Sequence, residues 1–182
     1  MKKKKSLLKE IISFSLYLVL VLVITVGIVQ FVGQRTVVVG HSMENTLQDG
    51  DNLIVDKISY RFQEPKRFDI IVFPYQYEEN TYYIKRIIGL PGDKVRIDKK
   101  GDIYINGQIL NENYGKEVIE NQGMAAEELI LGKEDYFVLG DNRNESEDSR
   151  FEDVGFIHQK DIIGKAWLRV YPFNSFGLVQ HK

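Results

Sequence analysis

The chain has 182 residues, 43% of them hydrophobic and 27% charged, a composition that excludes a disordered or collagen-like protein. It contains no cysteine, so disulfide bonds, a thiolate nucleophile and cysteine-bound metals are excluded. The formal net charge of -2 lacks the basic excess of most nucleic-acid-binding proteins. The three histidines, His41, His158 and His181, lack the spacing of a metal site. We therefore expect no metal, no cofactor and no nucleic-acid partner.

The N-terminus combines a basic segment with a long apolar run. The first ten residues carry five lysines and one glutamate, and residues 11–34 contain no acidic or basic side chain. As an α-helix, this run would span about 36 Å, enough to cross ~30 Å of hydrocarbon. It is longer than the apolar region of a cleaved signal peptide, which favours a permanent anchor.

The charges on either side of this run indicate its orientation. Lysines precede it and only Arg35 directly follows it, which places the N-terminus in the cytoplasm by the positive-inside rule. The sequence thus predicts a cytoplasmic basic segment 1–10, a single transmembrane anchor 11–34 and an extracytoplasmic domain 35–182.

The extracytoplasmic part has the pattern of short strands separated by turns. β-Branched and aromatic runs bounded by Gly, Pro, Asn and Asp predict strands at 37–39, 52–58, 68–73, 81–88, 94–97, 103–105, 108–110, 135–139 and 162–171. Asn106-Gly107 suits a type I′ turn. The one helical candidate after the anchor is 124–129, inside a polar stretch 111–133 that we interpret as a surface insertion or cap.

Ser42 needs a base if it is to act as a nucleophile. His41 is its neighbour, and neighbouring side chains of an extended segment point to opposite sides. His158 lacks an accompanying G-x-S-x-G motif. Lys85 lies in the strand pattern TYYIKRII among apolar neighbours on its own face, where burial would lower its pKa from ~10.4 to about 8. Spacing alone also fits a lysine that reaches solvent from a half-buried strand, and Arg86 has the same ambiguity.

The densest polar cluster is G-D-N-R-N-E-S-E-D-S-R, residues 140–150. Composition alone is typical of a surface loop. Four of its side chains have matched charges that can form ion pairs within the loop: Asp141, Arg143, Asp148 and Arg150.

Three segments together resemble the type I signal peptidases of bacteria. They are G-H-S-M-E-N-T-L at 40–47, Y-I-K-R-I-I-G-L-P-G-D at 83–93 and the polar cluster at 140–150, and they occur in this order behind an N-terminal anchor. The single span resembles the Gram-positive form. The resemblance implies a mainly β fold, in which one transmembrane helix precedes an antiparallel β-sheet catalytic domain.

The resemblance also implies a role for each matching residue. Ser42 corresponds to the nucleophile, and its backbone N–H to an oxyanion donor. Lys85 corresponds to the general base, and Ser146 to the serine that hydrogen-bonds the lysine. Gly40 and Met43 match substrate-site positions, and Gly40 lacks the hydroxyl that some members carry there. The remaining supporting positions are Arg86, Asp141, Arg143, Asp148 and Arg150.

The function implied is cleavage of N-terminal signal peptides from exported preproteins by a serine endopeptidase in the cell membrane. Its partners would be preproteins with small residues before the cut and the lipid bilayer. Two alternatives remain open at this point. One is a serine-lysine peptidase dedicated to one partner, and the other is an inactive membrane-anchored secretion or pilus accessory domain.

Overall fold

In the computed structural model, which describes residues 2–31 and 33–179, one long helix precedes a β-rich domain. Helix α1, Lys2–Phe31, contains the segment Lys9–Gly27, which is long and apolar enough to cross a membrane. Among the described residues, twelve strands follow this helix, and every pairing between them is antiparallel. The prediction of a mainly β chain behind one N-terminal helix is confirmed.

The larger sheet has eight strands in the order β1-β2-β11-β3-β4-β9-β10, with β12 paired to β11. Its strands are β1 Gly33–Val37, β2 Asn52–Asp56, β3 Ile70–Pro74, β4 Tyr82–Gly89, β9 Asp135–Leu139, β10 Ile157–His158, β11 Gly164–Tyr171 and β12 Gly177–Leu178. Strand β4 therefore lies inside the sheet, whereas β1 is at its edge.

The smaller sheet has four strands in the order β7-β6-β5-β8. They are β5 Lys94–Ile97, β6 Ile103–Ile105, β7 Gln108–Ile109 and β8 Leu129–Ile130. Asn106 and Gly107 connect β6 to β7 with φ values of 52° and 79°, as the predicted type I′ turn requires.

Several strand boundaries differ from the prediction, and local hydrogen bonds explain why. β1 begins at Gly33, inside the predicted anchor range, because Gly33 pairs with Asp56 of β2. β2 ends at Asp56, whose carboxylate accepts hydrogen bonds from the backbone N–H groups of Ile58 and Ser59 and starts a turn. β3 begins only at Ile70, since Phe68 has a φ of 73°.

The stretch 111–133, predicted to be a surface insertion or cap, contributes three side chains to the core. Ile119, Ala125 and Leu131 are buried in one cluster with the smaller sheet. The predicted helix 124–129 is a single 3₁₀ turn, Gly123–Ala126, followed by β8. Six residues are too few for a stable isolated helix, and pairing of β8 with β5 supplies the backbone partners instead.

Burial of Ile119 predicts that this stretch stabilises the domain. Ile119→Ala should lower the free energy of unfolding by about 2–5 kcal/mol, because it leaves a cavity in the core. The adjacent Val118 is 67% exposed, so Val118→Ala is the matched control. It should change the free energy of unfolding by less than about 0.5 kcal/mol. Denaturant unfolding measures both, and equal effects would contradict the structure.

Candidate active site

Ser42 lies in a tight loop that follows β1, the serine loop, residues 40–47. Met43 O accepts hydrogen bonds from the backbone N–H groups of Thr46 and Leu47, at 3.0 and 2.8 Å. Met43 and Leu47 are buried and anchor the loop to the core. Gly40 has a φ of 93°, which a side chain would disfavour. Ser42 itself remains half-buried and faces a cleft.

Lys85 lies in β4 and meets Ser42 across the cleft. Its Nζ is 2.8 Å from Ser42 Oγ, and the ring of Tyr83 lies 4.8 Å from the same nitrogen. Lys85 is only 3% exposed, so the alternative of a lysine that reaches solvent is wrong. Burial lowers its pKa to about 8, although nearby Asp148 and Glu147 act to raise it.

The polar loop, residues 140–150, holds the serine loop through its backbone. Asn142 N–H donates to Ser42 O at 3.0 Å, and Asn142 Nδ2 donates to His41 O at 3.1 Å. Gly140 permits this approach, because a Cβ there would lie 2.4 Å from Ser42 O and 2.2 Å from Ser146 Oγ. The position of the Ser42 carbonyl is therefore fixed by the polar loop.

Buried ion pairs order the polar loop, but only one lies within it as predicted. Arg150 Nε contacts Asp148 Oδ1 at 2.8 Å. Asp141 instead receives two hydrogen bonds from Arg86, at 2.9 and 2.8 Å, because β9 pairs with β4 and brings the start of the loop to that arginine. Arg143 Nη2 pairs with Glu112 Oε1 at 2.8 Å, also outside the loop.

Ser146 does not make the hydrogen bond to Lys85 that the resemblance implied. Its side chain is buried and near the cleft, yet Ser146 Oγ has no hydrogen-bond partner among the residues that the structure describes. The contact of Lys85 Nζ is with Ser42 Oγ instead.

The cleft has a volume of about 1040 Å³ and lies between two strand edges. β1 is an edge strand. Residues 82–85 of β4 pair with β3 on one side, whereas β9 pairs only from Arg86 onward. Both edges border the cleft, and Ser42 and Lys85 lie at its wall. An extended peptide can therefore form backbone hydrogen bonds here.

A comparison of the chain with known protein families gives a match that spans the candidate site. The model described as "Signal peptidase, peptidase S26" matches residues 9–171, which include the serine loop, Lys85 and the polar loop. The chain belongs to the signal peptidase family. The resemblance found in the sequence is thereby confirmed.

Individual signal peptidases are similar to most of the chain. A signal peptidase I from Bacillus caldolyticus is 42% identical over 158 residues, which cover 80% of this chain and 84% of that protein. A probable signal peptidase I-2 from Synechocystis sp. is 38% identical over 167 residues, 89% and 74% of the two chains. A crystal structure of a signal peptidase I from Enterococcus faecalis V583 is 36% identical and covers 57% of this chain and 97% of that one, with a TM-score of 0.45.

The two histidines in the described part of the chain, His41 and His158, each contact a carboxylate. His41 is 60% exposed, and its Nδ1 contacts Glu44 Oε1 at 2.6 Å. His158 pairs with Asp135 at 2.5 Å, and His181 lies outside the described residues. Within residues 2–31 and 33–179, no group of three or more His, Asp or Glu side chains could hold a metal ion.

Asn142 and Thr46 are the positioning residues that the sequence analysis missed. Thr46 Oγ1 donates to Asp141 Oδ2 at 2.5 Å and accepts from Arg86 Nη2 at 3.0 Å. Both residues stand inside the motifs that carry the signal peptidase resemblance. Because neither side chain bears a charge, the search for matched charges did not identify them. Their positions inside the motifs were the one feature of the sequence that could have.

The close approach at Gly140 generates a prediction. Gly140→Ala should displace Ser42 or Ser146, lowering peptide cleavage about tenfold or more and unfolding free energy by about 1–3 kcal/mol. The matched control is Gly27→Ala, because a Cβ at Gly27 meets nothing within 4 Å. Wild-type cleavage by the Gly140→Ala protein would show that this contact does not position the serine.

Proposed function

We propose that this protein is a membrane-bound serine endopeptidase that cleaves N-terminal signal peptides from exported preproteins with Ser42 and Lys85 as its catalytic dyad. The observation that carries the proposal is the 2.8 Å contact between Ser42 Oγ and the buried Lys85 Nζ. Membership of the signal peptidase family supports the same reaction class.

The dyad acts as a nucleophile and a general base. Neutral Lys85 takes the proton from Ser42 Oγ while that oxygen attacks the scissile carbonyl. The Lys85 ammonium then donates the proton to the leaving amine, and an acyl-enzyme remains. Lys85 next removes a proton from the attacking water, the ester bond breaks, and the proton returns to Ser42.

The oxyanion of this reaction needs a hydrogen-bond donor. The backbone N–H of Ser42 donates to no other residue in the described part of the chain, so it is available for this role. Gly40 offers no hydroxyl, and its own N–H donates to Asp49 Oδ1 at 2.9 Å. Ser42 N–H is therefore the donor that we assign to the oxyanion.

The supporting residues shape the environment of Lys85. Ser146 Oγ is buried and free to accept a hydrogen bond from the ammonium that forms during the reaction. Arg86, Asp141, Arg143, Asp148 and Arg150 hold the loops through ion pairs. Met43, which is 2% exposed, contributes to the floor of the substrate cleft beside Gly40.

The substrate is an extended peptide lying between β1 and β4, with small residues before the cut. α1 anchors the protein in the cell membrane with its basic N-terminus in the cytoplasm and the peptidase domain outside. A preprotein held in the same bilayer by its apolar signal presents the cleavage region near this domain. Shared attachment raises the effective concentration of the substrate.

A precursor-processing assay with the detergent-solubilised full chain tests the dyad. Ser42→Ala and Lys85→Ala should each lower release of the mature product by about 10³-fold or more. The exposed residues Ser175 and Lys94 supply matched controls, and Ser175→Ala and Lys94→Ala should cleave like wild type. Cleavage retained by folded Lys85→Ala would overturn the mechanism. A wild-type protein that cleaves none of several precursors would indicate an accessory protein instead.

The pKa of Lys85 predicts the pH dependence of cleavage. The base must be neutral, and with a pKa of about 8 about a tenth of it is neutral at pH 7 and about nine-tenths at pH 9. The rate should therefore rise about tenfold over this range. A pH profile of single-turnover cleavage checks this, and a rate that falls or stays flat from pH 7 to 9 would exclude a lysine base.

A further inference from the structure

One buried ion pair connects the two halves of the candidate site. Arg86 directly follows Lys85 in β4, and Asp141 directly precedes Asn142, which holds Ser42 O. Both side chains of the pair are 0% exposed. A shift of this pair would therefore move the strand of the base and the loop of the nucleophile relative to each other.

A segment at 112–116, which we term the clasp, contacts both residues of this ion pair and the serine loop. The Tyr114 ring lies over the guanidinium of Arg86, with 3.7 Å from Cζ to the ring centroid. Tyr114 O accepts a hydrogen bond from Asn45 Nδ2 of the serine loop at 3.1 Å. Lys116 N–H donates to Asp141 O at 2.8 Å. The clasp thus joins strand β4, the serine loop and the polar loop.

We propose that Tyr114 is a positioning residue of the cleavage reaction, which covers the Arg86–Asp141 pair and holds the serine loop against it. The inference rests on the proposed function. Tyr114 is 9% exposed, and a guanidinium on an aromatic face is a favourable contact in a desolvated place. Phe68 packs against the same ring at 5.1 Å and completes the cover.

Loss of the ring would admit water to the ion pair. Water would compete for the Arg86 guanidinium, which would no longer be held by the ring, so Arg86 would pair less closely with Asp141 and neutralise its charge less completely. The charged groups that act on Lys85 are Asp148, Glu147, Arg150 and Asp141, and a less neutralised Asp141 raises the pKa of Lys85. The midpoint of the pH profile should then move upward.

Tyr114 does not line the cleft, so its effect should be confined to the chemical step. A residue that contacts the substrate would change KM, whereas a residue that orients the dyad lowers kcat. Misplaced catalytic groups reduce rates strongly even when binding is intact.

The test compares Tyr114→Leu with Tyr114→Phe in the full chain, using precursor cleavage from pH 6 to 10. Tyr114→Leu should lower kcat about tenfold, leave KM within about twofold and raise the midpoint of the pH profile. Tyr114→Phe keeps the ring and should behave like wild type. Ile119→Ala is the matched control for lost stability, and its midpoint should equal that of wild type.

A wild-type midpoint in Tyr114→Leu would overturn the inference, whether or not its rate falls. An equal defect in Tyr114→Phe would also overturn it. Failure of the proposed function is distinguishable, because it requires wild type to be inactive or Lys85→Ala to be active.

If Tyr114→Leu does not fold, the Asn45→Gly variant tests the inference instead. This variant removes only the donor to Tyr114 O, and glycine readily adopts the φ of 95° found at Asn45. We expect kcat to fall about threefold at unchanged KM, as for the loss of one neutral hydrogen bond. An unchanged kcat would overturn the inference in that case.

Discussion

The candidate site depends on one contact, an amine kept out of water beside a serine hydroxyl. Lowering the pKa of Lys85 from 10.5 to about 8 corresponds to about 3 kcal/mol of preference for the neutral form. Strand β4 supplies this environment, because Lys85 pairs with Ile71 of β3 on one side and its side chain lies against the Tyr83 ring and Ser42 on the other. A more exposed lysine would stay charged near neutral pH and could not accept a proton from Ser42.

The short distance between the two groups requires three separate segments of the chain to hold their positions. The serine loop, β4 and the polar loop are distant in sequence, and the buried pair of Arg86 and Asp141 joins them. Buried ion pairs are weak evidence for stability, since desolvation offsets most of their attraction. Here the pair has another consequence, because its bidentate geometry joins the strand that carries Lys85 to the loop that holds Ser42.

The sequence predicted those structural features that depend on residues close together in the chain. The apolar N-terminal run, the alternation around Lys85 and the Asn106-Gly107 turn each specify structure within a few positions. The core packing of the stretch 111–133 was not predictable in this way, because Ile119, Ala125 and Leu131 are six residues apart and belong to no continuous run with the alternation of a strand or the repeat of a helix. Charge matching within the polar loop likewise missed the partner of Asp141, which lies 55 positions away in another strand.

The central claim concerns a single amine, and NMR titration of the full chain with ¹³C-labelled lysine side chains measures it directly. We expect one lysine resonance to titrate near pH 8, and we expect it to be missing from the Lys85→Ala protein. Contradiction would come from a Lys85 resonance that titrates near ~10.4, the ordinary value of a lysine side chain, since an ordinary ammonium could not serve as the base.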